Sequence, residues 1–262
     1  MRCPSCRALA ALALSAAAHT AAAQQTTGAA GTPGAAATPL VAPDSISPIP
    51  RPDGAMLHAA SYTYLLTLTH NGTQTPLGTR TVDVSDAAVG GVPGWLIAER
   101  RVGSPVVTTD SLWVTRADLA PERWVATIDR AQLGVAFTRD SAFGAVQSYR
   151  GRASFATAVP PGALLTGGMV ERVVELLPLR DGYRASASLL LFDLATPRAL
   201  DAELVVERSD RTPVAGRDVD CWVVVLRAGV LEERLWVTRQ SPRVVRTEQA
   251  TQSGLLVGVS AQ

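Results

Sequence analysis

The five-residue word Leu-Trp-Val-Thr-Arg occurs twice in this chain, at Leu112–Arg116 and at Leu235–Arg239. The segments before the two copies also match, because each has a strand-like run, a Gly/Pro loop and a second run that begins at Trp95 or Trp222. The two sets of matching positions are separated by about 123 to 127 residues. A repeat of this length predicts two pseudo-symmetric halves and not a solenoid of small units.

Each half has the pattern of an antiparallel β-sheet. Runs rich in Val, Leu, Thr and aromatic residues are bounded by turn-forming residues at intervals of roughly 8 to 12 residues. Asn71 and Gly72 accept the positive φ angles of a tight hairpin turn. We therefore predict an all-β, mainly antiparallel fold: a long curved sheet or half-barrel made of two pseudo-repeats, at about 56–150 and 183–262.

One helix is predicted between the two repeats, at about 163–178. Its apolar residues recur at helical spacing and end before Pro178; they are Met169, Val170, Val173, Val174 and Leu177. The run Trp222–Leu226 is apolar on both faces, so part of the sheet must be covered on both sides. We expect the helix to pack on the sheet. The sequence leaves open whether the interior is filled or holds an apolar cavity.

The first 55 residues have the composition of segments that lie outside such a domain. Two arginines, an apolar run at Ala8–Ala18 and three alanines before Gln24 have the layout of a secretory signal, with cleavage expected after Ala23. Residues 24–55 contain six prolines and are predicted to be a disordered Pro/Ala-rich linker. The folded domain is then 56–262. We expect a periplasmic or secreted protein without a transmembrane segment in its mature chain.

The composition and motifs argue against several classes of function. All 24 basic residues are arginine and 23 acidic residues nearly balance them, so the basic surface of a nucleic-acid-binding protein is not expected. Cys3 and Cys6 would be removed with the signal, which leaves Cys221 as an expected buried thiol. With only His58 and His70 in the mature chain, neither a zinc cluster nor a Ser-His-Asp set is indicated. We predict no enzyme activity, no catalytic residues, no metal and no cofactor.

Charged residues within the strands are expected to form ion pairs in solvent. This expectation covers four carboxylates that have arginines nearby, namely Asp193, Glu207, Asp218 and Asp220. The arginines that end the two copies of the repeated word, Arg116 and Arg239, are expected to pair with carboxylates at strand ends.

Three stretches carry a resemblance to a known group of proteins: MVERVVELLPLRDGYRASASLLLFD, AGRDVDCWVVVL and LWVTRQSPRVVRTE. They resemble bacterial envelope proteins that form a domain of unknown function, whose broad relatives resemble the half-barrels of the lipoprotein carriers LolA and LolB. The resemblance covers about Tyr62 to the C-terminus and is strongest from Met169 to Glu248. It implies a sheet curled around an apolar cavity, with helices as a lid and acyl chains as ligands, and no catalytic residues. This chain departs from that pattern in its single clear helix and its internal duplication.

The leading functional hypothesis is a non-catalytic periplasmic or secreted β-domain that binds a hydrophobic ligand, such as a lipid, or an envelope component. The candidate ligand contacts are Trp95, Trp113, Trp222, Trp236, Met169 and Val173. The alternative is a structural or protein-interaction module of the cell envelope, which binds an envelope protein and no small molecule. A hydrolase with an unrecognised site is a third hypothesis.

Overall fold

The computed structural model describes residues 46–103, 107–128, 130–192 and 197–261. The first half contains eight strands: β1 (Ala60–His70), β2 (Thr73–Val89), β3 (Val92–Val102), β4 (Thr108–Thr115), β5 (Pro121–Ile128), β6 (Ala131–Phe137), β7 (Ser141–Ser148) and β8 (Gly151–Ala158). A short strand β9 (Leu164–Leu165) and the helix α1 (Gly168–Glu175) follow. The second half contains β10 (Arg184–Phe192), β11 (Pro197–Val214), β12 (Arg217–Ala228), β13 (Leu231–Thr238), β14 (Val244–Thr251) and β15 (Gly254–Ser260).

All fifteen strands belong to one open sheet, in the order β8-β7-β6-β5-β4-β3-β2-β1-β15-β14-β13-β12-β11-β10-β9. Each half is a meander of neighbouring hairpins, and the pairing of β1 with β15 joins the two meanders. These pairings are antiparallel, whereas β9 and β10 run parallel. The predicted all-β, mainly antiparallel architecture with one helix is confirmed. The helix is shorter than its predicted range of 163–178, because Leu164–Leu165 forms β9 and Gly167, with a φ of 84°, comes directly before the first helical residue.

The duplication is visible in the hydrogen bonds as well as in the sequence. In the first half, a bulge lies between Trp113 and Val114 where β4 pairs with β5. In the second half, the bulge lies at the same place, between Trp236 and Val237, where β13 pairs with β14. The repeated word is therefore the same strand in each half, with the same irregularity after its tryptophan. The hairpin turn at Asn71 and Gly72, with φ angles of 49° and 77°, also forms as predicted.

The helix lies against one face of the sheet, which we call the inner face. This face carries the alternate residues of each strand that include Tyr64, Val82 and Ile97, and they form one core with α1. All eight residues of α1 are buried, which means that strands surround the helix on more than one side. Helix α1 contacts β3 from the first half and β13 from the second.

A second, smaller core covers the opposite face, which we call the outer face. It consists of Val214, Cys221, Val223, Trp236 and Val245, all contributed by β11 to β14. The two-sided burial of β12 that its apolar sequence required is therefore present. The outer cover comes from side chains of the long hairpin and its neighbours, whereas the helix covers the inner face.

The folded domain begins earlier than its predicted start at residue 56. A single turn of 3-10 helix spans Gly54–Met56, and Ile49 donates its backbone N–H to the carbonyl of Ser186 at 2.8 Å. A Cβ atom on Gly54 would lie 2.3 Å from the carbonyl oxygen of Arg116, so only glycine fits this close approach. Residues 47–55 therefore pack on the sheet and are not part of a disordered linker. The predicted signal and the rest of the linker lie outside the described residues.

Candidate functional site

The six predicted ligand contacts do not form one site. Trp95, Trp222, Met169 and Val173 are all buried in the inner core. Trp236 is buried in the second core on the outer face. Trp113 also lies on the outer face but in the first half, where it is half-buried. Tryptophans at equivalent places in the two halves therefore occupy equivalent positions in the sheet, and most of them fill its two cores.

Each of these four tryptophans pairs with an arginine, and these pairs also repeat. The arginine that ends each copy of the repeated word lies over a tryptophan of the preceding strand: Arg116 is 4.2 Å from the ring centre of Trp95, and Arg239 is 4.1 Å from that of Trp222. The tryptophan inside each copy of the word is covered by an arginine of the next strand: Arg123 lies over Trp113, and Arg246 lies over Trp236. Arg116 also pairs with Asp86 as predicted. The prediction was wrong for Arg239, which makes no ion pair with the described residues.

We expect the two tryptophans inside the repeated word to differ sharply in their contribution to stability. Trp236 is 4% exposed and donates its indole N–H to Asp210 at 2.9 Å, so Trp236→Ala should lower the free energy of unfolding by about 3–5 kcal/mol. Trp113→Ala removes a half-buried ring and its stacking contact with Arg123, and should lower the free energy of unfolding by about 1–2 kcal/mol. Urea unfolding of both variants measures the difference. Equal losses would contradict the second core.

The inner face also holds a cluster of buried charges that the sequence did not predict. Arg80 of β2 lies between two carboxylates: it pairs with Glu99 of β3 at 2.6 Å and with Glu171 of α1. Glu171 also pairs with Arg172 at 3.3 Å, and Arg172 pairs with Glu175 at 3.0 Å. All five side chains are buried. Because an unpaired charge is very costly away from water, these residues depend on one another.

Further polar contacts complete this charge cluster. Glu99 also pairs with Arg101 at 2.7 Å, and Glu175 accepts the backbone N–H of Val244 at 2.7 Å. Tyr62 stacks against Arg172, whose guanidinium lies 3.8 Å from the ring centre. The signal that could have revealed the cluster is the alternation of β2 and β3. Arg80 and Glu99 occupy the same face as their apolar neighbours Val82, Val84 and Ile97.

Two further carboxyl groups, Asp110 of β4 and Glu233 of β13, face the cluster from equivalent positions two residues before the repeated Leu-Trp pair. Burial and the nearby Glu99 carboxylate raise the pKa of Asp110 to about 7. Burial and Glu171 likewise raise the pKa of Glu233 to about 7. Burial would raise the pKa of Glu99 too, but Arg80 and Arg101 lower it to about 2. The interior therefore contains both a permanently ionised pair and two carboxyls that change charge near neutral pH.

The second half has no counterpart of the charged side chains on β2 and β3. By strand register, Ala202, Leu226 and Ala228 occupy the positions that correspond to Arg80, Glu99 and Arg101. All three are buried in the same core. The two halves have therefore diverged on the inner face, where the first half receives the charged side of α1 and the second half is aliphatic.

The outer face of the first half contains an open groove of about 840 Å³ across β5 to β8. Its floor is a row of four residues that lie side by side on neighbouring strands: Val125, Gly134, Ala145 and Ser154. Four strands span roughly 14 Å at the usual interstrand spacing. The small side chains lower the floor, while Phe143, 49% exposed, stands on one wall and Gln132 and Gln147 stand on the other.

On the outer face of the second half, the strands equivalent to β5 and β6 carry larger side chains. Strand register places Val257 of β15 where β6 has Gly134, and Glu248 of β14 where β5 has Val125. A Cβ atom on Gly134 would meet no atom within 4 Å, so glycine is not required here for close packing. The groove is thus a specific difference between the two halves. None of the six predicted ligand contacts lines it.

The remaining candidate residues have structural surroundings. Glu207 pairs with Arg208 and Asp220 with Arg211 on the surface, as predicted. The prediction was wrong for Asp218, which makes no ion pair with the described residues, and Asp193 lies outside them. Cys221 is a free buried thiol, and burial raises its pKa to about 11. Within the described ranges, no three His, Cys, Asp or Glu side chains are placed to hold a metal ion. No helix in that part of the chain is long and apolar enough to cross a membrane.

The comparisons with known proteins give matches among solved structures. No family model matches the chain, and no curated protein matches it. One similar solved structure is a β-barrel-like protein of the domain of unknown function DUF1849 from Brucella abortus, with 9% sequence identity and a TM-score of 0.47 over 82% of this chain and 97% of that chain. Another is the hypothetical lipoprotein YmcC from Escherichia coli (K12), with 14% identity and a TM-score of 0.34 over 78% and 88% of the two chains.

Proposed function

We propose that this protein is a non-catalytic binding domain of the bacterial cell envelope, and that it takes an apolar ligand into the groove on β5 to β8. The observation that carries the proposal is the difference between the halves: where the second half has Val257, the first has Gly134 and an open floor. Burying apolar ligand surface against such a floor is favourable, and the groove volume is in the usual range for small-molecule sites. The predicted secretory signal supports a periplasmic or secreted location.

The groove accounts for ligand binding better than the interior. Met169 and Val173, the predicted lining of an inner cavity, are packed in a core together with Val170 and Val174. Opening the interior would also separate the ion pairs that join α1 to the sheet. The outer groove requires no such rearrangement, because it is already open in the folded protein.

The test compares the parent with Gly134→Leu, which fills the floor. We expect the processed protein to bind the fluorescent apolar probe N-phenylnaphthylamine saturably, and Gly134→Leu to weaken that binding roughly ten-fold or more. Its unfolding midpoint should not fall, because the new side chain enters open space. The matched control is Ala250→Leu, which adds an apolar side chain to the exposed outer face of β14 and should leave probe binding unchanged.

Two results would overturn this proposal. One is the absence of saturable probe binding in the parent, which would leave the interaction-module alternative, with β8 as the open edge strand that a protein partner could extend. The other is equal binding by the parent and Gly134→Leu, which would place the ligand elsewhere. Native mass spectrometry of the protein from its own envelope, followed by organic extraction, would identify a natural ligand.

A further inference from the structure

The walls of the groove carry two arginines, at opposite corners. Arg123 of β5 lies in the row of Ala136 and Phe143, and Arg152 of β8 lies in the row of Gln132 and Gln147. The lining residues include no carboxylate. Neither arginine makes an ion pair with a residue of the described ranges. Two arginines without an ion-pair partner among the described residues therefore border an apolar floor.

In the second half, the arginine equivalent to Arg123 has a carboxylate partner. Arg246 of β14 is the counterpart of Arg123, and it pairs with Glu248 two residues further along the same face. The residue equivalent to Glu248 is Val125, so Arg123 has lost the carboxylate that neutralises its counterpart. Both arginines still stack on the equivalent tryptophans: the guanidinium of Arg123 lies 5.0 Å from the ring centre of Trp113. Arg123 is thus positioned by its stacking partner while its charge is left available.

From this arrangement we propose that the ligand of the groove is an anionic amphiphile, a single alkyl chain with an acidic head group. This inference rests on the proposed function of the groove. The alkyl chain lies along the row of Val125, Gly134 and Ala145, and the head group accepts hydrogen bonds from Arg123. A planar guanidinium donates two parallel hydrogen bonds to a carboxylate or phosphate, which selects an anion over a neutral polar group of similar size.

The experiment compares decanoate with decanol, which share a chain and differ in charge at neutral pH. Calorimetric titration of the parent should show decanoate binding roughly five-fold more tightly at low salt, as expected for a partly exposed charge pair. Arg123→Gln should remove this preference and leave decanol binding unchanged. The matched control Arg246→Gln in the second half should retain the preference. Val125→Glu restores the carboxylate of the second half and should weaken decanoate binding more than decanol binding.

The outcomes separate this inference from the proposed function. If the parent binds both compounds equally and Gly134→Leu weakens both, the groove is the site but its ligand is not selected by charge, and the inference is wrong. A decanoate preference that survives Arg123→Gln would also overturn it. If neither compound nor the apolar probe binds, the proposed function itself fails. Thermal unfolding of each variant shows whether the fold is retained.

Discussion

Replacing Arg80 with methionine should destabilise the protein by about 3–5 kcal/mol, the largest loss that we expect from a change to one ion-pairing side chain. Methionine retains much of the side-chain volume but leaves Glu171 and Glu99 without the guanidinium between them. Both carboxylates are buried, so water cannot replace the lost partner. Urea unfolding followed by tryptophan fluorescence measures the change in the free energy of unfolding.

The chain provides both a control and a test of mechanism for this prediction. Arg184→Met breaks the exposed pair with Glu203 and should cost less than about 1 kcal/mol. The triple variant Arg80→Met, Glu99→Leu, Glu171→Leu removes the charges together, and should be more stable than Arg80→Met alone because no buried carboxylate is stranded. A loss below about 1 kcal/mol for Arg80→Met, or a triple variant less stable than the single one, would contradict the prediction and would show that the remaining pairs with Arg101 and Arg172 are enough to stabilise the two carboxylates.

The architecture could be predicted because its determinants are local. Alternation along each strand gives the face of every residue, and a duplicated word such as Leu-Trp-Val-Thr-Arg gives equivalent strands in the two halves. The start of the domain was predicted too late for a physical reason. Residues 47–55 are rich in proline, but they are held by contacts with distant parts of the chain, such as the hydrogen bond from Trp95 to the carbonyl of Gly54 at 2.8 Å. Composition alone contains no information on such contacts.

The candidate sites could be predicted only in part. The apolar stripe predicts the helix. The sequence does not indicate that its charged residues Glu171, Arg172 and Glu175 are buried. Their burial depends on how far the sheet curls around α1, which is a property of the whole fold. The groove arises because the first half has the smaller residues Gly134 and Val125 where the second half has Val257 and Glu248. That difference is visible when the two halves are aligned by strand register, but the hydrophobic pattern alone does not predict a groove.

The free energy of unfolding should decrease as the pH rises from 5 to 8. Asp110 and Glu233 have pKa values raised to about 7 in the folded protein, against about 4 in an unfolded chain. Between these values the folded protein binds more protons than the unfolded chain, so raising the pH favours unfolding. Because both groups are half-buried, we expect a combined loss of about 2–4 kcal/mol. Glu99, with its lowered pKa of about 2, is ionised in both states throughout this range and adds no slope.

The double variant Asp110→Asn, Glu233→Gln assigns this slope to the two carboxyls. Its neutral side chains resemble the protonated acids, so its stability should be close to that of the parent at pH 5 and clearly higher at pH 8. The charges that face the pair in the folded protein, Arg80, Arg101, Glu99 and Glu171, are unchanged in this variant. Burial also raises the pKa of Glu175 to about 7, so part of the slope should remain. Denaturant unfolding at several pH values measures both curves, and parallel curves would mean that neither carboxyl is protonated in the folded interior.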